Sequence, residues 1–129
     1  VIVLDASVVL EILLDLPDAP RLAQRLARDR SWHVPALLDL EVIQVIRRFA
    51  AQGRVARQRA AVAVADLLDL PVRRYPHLPL LPRIWALRAH LTAYDAAYVA
   101  LAEFLGASLL TRDARLGRAR GHRARVEVI

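Results

Sequence analysis

Cysteine is absent from these 129 residues, which excludes disulfides and thiolate metal sites. Lysine is absent as well, so the formal net charge of +6 rests on arginine. Arginine forks onto phosphate oxygens in a bidentate way that lysine does not. The excess is uneven: residues 112–125, RDARLGRARGHRAR, hold six arginines and one acid. That stretch is either a solvated surface or a phosphate-contacting patch. No apolar run reaches the ~20 residues of a membrane span, since Glu11, Asp15 and Arg47 interrupt the candidates. No basic opening precedes an apolar segment, so a secretory leader is not indicated and a cytoplasmic chain is expected. Aromatic residues make up only 5% and lack the interleaving of a base-stacking surface; Trp32 and Trp85 are expected in the core or at a dimer contact.

What remains is aliphatic, 57% hydrophobic with a mean hydropathy of +0.31. One domain over residues 1–129, with a core of Leu, Val, Ile and Ala, is expected. VIVL (1–4) reads as a buried strand and 7–15 as the helix after it. Asp18 and Pro20 start a second helix through Asp29. SWHV (31–34) is a short strand, and Pro35 opens a long helix that stops at Gly53. A helix over 54–69 leads to PVRRY (71–75), where Pro71 restricts the strand to an edge. Residues 79–91 are broken by proline and helical in their second half. A clear helix over 93–105 ends at Gly106 and precedes the strand 107–111. A short helix at 114–119 and a last strand at 126–129 complete the chain. Short strands alternating with helices imply an α/β sandwich on a mainly parallel sheet. Ligands of such sheets bind beyond the carboxyl ends of the strands, where strand order reverses.

That rule gives meaning to four acids. Asp5 follows the first strand and Asp113 follows the strand ASLLT. Asp95 opens the helix DAAYVALAEFLG, and Glu41 edges the apolar stripe Leu38, Val42, Val45, Ile46 and Phe49. Each has an ordinary explanation. Asp5 and Asp113 are placed to cap helices, and Thr92 with Asp95 has capping-box spacing. Glu41 could pair on the surface with Arg47 or Arg48. As a group they say more. Converging carboxylates repel one another unless a cation neutralises them. An all-oxygen set, with no cysteine and no histidine at ligand spacing, suits Mg²⁺ or Mn²⁺. Such ions serve phosphodiester hydrolysis, and the arginine excess points the same way. Arg48, Arg112, Arg115 and Arg118 are the candidates for nucleic-acid phosphates, and His122 stands among arginines. Glu11 is expected to face solvent or an interface, His33 to pack, and Glu103 to form a helix-surface ion pair.

VLDAS, VPALLDLEVIQVIRR, LTAYDAAYVALAE and LLTRDARL, in this order, resemble the PIN-domain family, and their spacing resembles its VapC-type toxins. The resemblance spans nearly the whole chain. It implies a three-layer α/β/α sandwich, a parallel five-stranded sheet of order 3-2-1-4-5 and a metal-dependent endoribonuclease. Asp5, Glu41, Asp95 and Asp113 match the acidic quartet, and Ser7 and Thr111 the hydroxyls that orient it. It also implies a homodimer and a VapB-like antitoxin partner. Some relatives carry a further acid after the last motif Asp; residues 114–118 have none, so a second metal would depend on RNA oxygens. Two other readings place an Asp after the first strand or keep the fold without catalysis. An aspartyl-nucleophile phosphatase wants an acid where Ser7 stands, and a receiver-like domain wants a lysine. A catalytically weak RNA- or protein-binding module would be expected to lose acids of the quartet.

Overall fold

The computed structural model describes residues 1–129. Its first strand, β1 (Ile2–Leu4), is buried along its whole length, as a central parallel strand covered on both faces must be. β1 pairs in parallel with β2 (Trp32–Pro35) on one side and with β4 (Ser108–Thr111) on the other. β3 (Val72–Tyr75) extends the sheet beyond β2, and β5 (Val126–Val128) extends it beyond β4. The order is therefore β3-β2-β1-β4-β5, with every pair parallel and helices on both sides. Both the expected order and the edge position of the Pro71 strand are found. The reversal falls between β1 and β4, and it opens a crevice at their carboxyl ends.

The helices are α1 (Ala6–Leu13), α2 (Ala19–Leu26), α3 (Leu38–Ala51), α4 (Arg57–Leu68), α5 (Leu81–Ala86), α6 (Ala93–Leu105) and α7 (Ala114–Arg118). α6 is buried all round over Ala96–Ala102, the pattern of a helix enclosed by the fold. It lies against β1, β2 and β4. Thr92 caps its start by accepting the Asp95 N–H, and Gly106 ends it with a φ of 62°. Thirty-one buried residues form one apolar cluster reaching from the sheet into these helices.

Two expected boundaries move. Pro35 closes β2 instead of opening α3, because it stands opposite Tyr75 and the next amide, Ala36 N–H, donates to the Tyr75 carbonyl at 2.8 Å. The helix expected in the second half of 79–91 lies in its first half instead, as α5, preceded by a 3-10 turn at Leu78–Leu80 and followed by turns over 87–90. Pro79 and Pro82 fit only the first turns of these short pieces. No helix is long and apolar enough to cross a membrane.

Candidate metal-dependent active site

Asp5 leaves β1 with its N–H bonded to the Leu110 carbonyl of β4, at 3.0 Å, so its position follows from sheet pairing. The residue is 9% exposed, and both carboxylate oxygens accept hydrogen bonds. Oδ1 accepts the Ala6 N–H at 2.9 Å. Oδ2 accepts the hydroxyls of Ser7 at 2.8 Å and Thr111 at 2.7 Å. One carboxylate thus caps α1 and also binds the hydroxyls at the end of β4 and the start of α1. Both hydroxyls also receive from the turn after β4: Arg112 N–H donates to Ser7 Oγ, and Asp113 N–H to Thr111 Oγ1, each at 3.0 Å. Two small side chains therefore tie the turn carrying Asp113 to Asp5.

Asp5, Glu41, Asp95 and Asp113 all line one open cleft of about 720 Å³, together with Arg48 and Arg115. Glu41 is not paired with Arg47 or Arg48. Its Oε1 instead accepts the Tyr98 hydroxyl across 2.6 Å from α6. Burial pushes the Glu41 carboxyl above its usual range, and the charges of Asp5 and Asp95 add to the rise, with the Tyr98 bond opposing it. Asp95 is raised by burial and by Asp5 and Asp113. Asp113 goes the other way, held down first by its hydrogen bonds from Arg115. The Arg115 guanidinium meets it with Nη2 at 2.9 Å from Oδ2 and Nε at 3.3 Å from Oδ1.

The donor set is all oxygen, and two of its members are raised by like charges that a cation would neutralise. No three carboxylates or imidazoles are gathered at ligand distance into a closed cage. Mg²⁺ keeps several waters and binds through one or two carboxylates plus substrate phosphate, so a closed cage is not what it requires. The residues fit such an ion, with Asp113 free to join only when Arg115 lets go.

The candidate arginines separate. Arg48 and Arg115 line the cleft, whereas Arg118 is exposed on α7 outside its lining. Arg112 turns away from the cleft, towards Glu11 and Asp18. Glu11 is buried, contrary to the expectation of solvent exposure. The signal was present: α1 is otherwise apolar apart from Ser7, so it has no polar face to offer an acid. His122 has both ring nitrogens buried without a partner and so does not present them to phosphate. His33 packs as expected, bonded to Tyr75 Oη and Ser31 Oγ, and Glu103 pairs with Arg83 at 2.7 Å. Trp32 is half-buried, but Trp85 is 67% exposed beneath the Arg88 guanidinium. Tyr98 escaped notice, although it stands three residues after Asp95 on the same helix, where neighbours share a face.

The model of the PIN domain matches residues 2–121. Ribonuclease VapC12 of Mycobacterium tuberculosis is 43% identical over 128 residues, covering 99% of this chain and 98% of that protein. Ribonuclease VapC9 of the same organism is 44% identical over 117 residues, 89% of this chain and 87% of that one. Among solved structures, PAE2754 from Pyrobaculum aerophilum superposes with a TM-score of 0.72 at 22% identity, covering 97% of this chain and 82% of that one. VapBC2 from Rickettsia felis, bound to a DNA fragment from their promoter, gives 0.70 at 12% identity, covering 98% and 97%. The structures agree with the fold, and the sequence matches run over most of the chain. This chain belongs to the PIN-domain family, alongside its VapC ribonucleases.

Proposed function

We propose that this chain is a VapC-like endoribonuclease toxin that hydrolyses RNA phosphodiester bonds with Mg²⁺ or Mn²⁺ in the cytoplasm. The observation that carries the reading is the convergence of Asp5, Glu41, Asp95 and Asp113 on one cleft, in a chain 43% identical to a VapC ribonuclease. Asp5, Asp95 and Asp113 would hold the ion, and Glu41 would ligate it or orient the attacking water. The ion, when bound, supplies Lewis-acid polarisation of the phosphate and the water. Tyr98 occupies Glu41 Oε1, which leaves Oε2 to receive a proton. Water is consumed and the phosphodiester becomes a phosphomonoester and a hydroxyl. Arg48 and Arg115 are placed to bind the RNA backbone from the cleft walls, and Arg118 from the adjoining surface. The exposed ring of Tyr94 on the cleft wall offers a face for a base.

A VapB-like antitoxin is the proposed silencing partner. A structural neighbour described as a toxin–antitoxin complex from Klebsiella pneumoniae supports the fold side of this reading, with a TM-score of 0.63 at 17% identity. A second copy of this chain is the other proposed partner, for which Leu78, Trp85 and Phe104 supply exposed apolar surface. One observation favours a binding-only reading: Arg115 already occupies Asp113. Sequencing RNA 5′ ends after incubation with the purified chain separates the two. The ribonuclease reading expects new ends that vanish with a chelator and with Asp5→Asn. Full cleavage by a folded Asp5→Asn protein would overturn it, and RNA bound but never cut would support the binding module.

A further inference from the structure

Glu11 is a buried charge that the chemistry above leaves unused. It is 7% exposed on α1, and burying a carboxylate is costly unless it is paired and hydrogen-bonded. A nearby residue supplies the hydrogen bond and one distant in sequence supplies the charge. After α1 the chain reverses at Asp15, whose φ of 50° lies in the left-handed region. That reversal brings the Asp18 N–H to Glu11 Oε1 at 2.9 Å. Arg112 enters from the turn after β4, with Nε 3.6 Å from Glu11 Oε2 and Nη1 2.8 Å from Asp18 Oδ2. The backbone of the same arginine donates to Ser7 Oγ, and the next residue is Asp113. Arg112 therefore bonds to α1 through its backbone, while its guanidinium meets Glu11 and Asp18 by charge alone, Nη1 being buried without a hydrogen bond.

We propose that Glu11 and Arg112 are positioning residues, a brace that clamps the Asp113 turn onto α1 and so sets the spacing between Asp5 and Asp113. The proposal rests on the ribonuclease reading for its consequence, though the brace itself can be measured without it. Removing Glu11 has a sign that separates this role from direct RNA contact. Losing an acid would leave RNA binding unchanged or tighten it. Losing a brace would loosen Asp113, and partners of ligating residues typically matter by about 10- to 100-fold in metal affinity or activity.

The experiment compares Glu11→Gln, Arg112→Gln, Arg112→Lys and the Glu11→Gln/Arg112→Gln double variant in the full chain. Hydrogen exchange at the Arg112 and Asp113 amides, Mn²⁺ affinity, RNA affinity in EDTA, and kcat and KM for cleavage are measured. The brace predicts faster exchange at both amides in every variant. It predicts Mn²⁺ affinity and kcat lower by about 10- to 100-fold in Glu11→Gln and Arg112→Gln. KM and RNA affinity in EDTA stay within about twofold. The double variant is no worse than the poorer single one, because each removes the same link. Arg112→Lys, which keeps the charge without the fork, recovers only part of the loss. Unchanged exchange in Glu11→Gln overturns the proposal, as does weaker RNA binding in Arg112→Gln with full recovery by lysine. If Arg112→Gln fails to fold, Glu11→Gln and Arg112→Lys decide alone. A wild-type chain that cuts no RNA would sink the ribonuclease reading, while the exchange rates would still judge the brace.

Discussion

Tyr98, wholly buried on α6, donates its hydroxyl to Glu41 Oε1 on α3 across 2.6 Å. It is the one side-chain hydrogen bond made by the Glu41 carboxylate, and it joins two elements of the cleft through the core. Tyr98→Phe keeps the ring and removes the bond. Stability should fall by about 1 kcal/mol in a denaturant titration, the usual net worth of one such bond. Because the bond holds Glu41 down against burial, its loss should push the acidic limb of the pH–rate profile towards higher pH. RNA affinity should not change.

Glu41 and Asp95 are both raised above the ordinary carboxylate range, by burial first and then by neighbouring acids. The folded chain therefore holds these protons more tightly than the unfolded chain. Stability from the pair is present at low pH and is lost as pH rises through the raised values. Glu41→Gln and Asp95→Asn should each raise the melting temperature of metal-free protein at neutral pH. The gain should fade as the solution is acidified, because wild-type carboxyls then become neutral too. A scan of melting temperature against pH checks this.

Arg115 opposes a metal and attracts RNA, so its removal should move two affinities in opposite directions. Arg115→Ala frees Asp113 and should tighten Mn²⁺ binding several-fold in a calorimetric titration. The same change should weaken RNA binding and reduce the slope of log K against log salt by about one. Arg48→Ala, which bears on no acid, should show only the second effect.

Arg25 anchors the far edge of the sheet. It forks onto Glu127 of β5 at 2.8 and 2.9 Å and reaches Asp29 at 2.7 Å. Arg25→Ala should cost about 1–3 kcal/mol, the range for lost hydrogen bonds to charged groups. Glu127 is held low by Arg25, and Glu103 by Arg83. Their contribution is present at neutral pH and is lost as pH falls through the lowered values. Acid unfolding of Arg25→Ala should therefore be less steep than that of the wild type.

The strands were legible because VIVL and SLLT are short apolar runs between helix signals, and Asp5 and Asp113 because they follow those runs, whereas Glu41 and Asp95 stood out by their places on helices. Their convergence and the sheet order came through family resemblance and are found in the fold. Pro35 misled because proline suits a helix start and a strand end alike, and only Tyr75 across the sheet decides. Arg112 misled for a different reason. Its partners lie about a hundred residues earlier in the chain, beyond the reach of any local pattern. Tyr98 drew no notice because it is core, and its one polar atom is what periodicity does not describe.

The bond from Thr111 to Asp5 spans 106 positions of sequence. A nascent chain emerging from the ribosome lacks it until β4 has been made and has closed on β1. Contacts so remote form only when the ends of a long loop are brought together, and late in assembly. Asp5 thus waits for the chain as far as Thr111 before it is held in place. For a chain whose proposed target is RNA, the cleft is then expected to be set only once β4 has closed on β1.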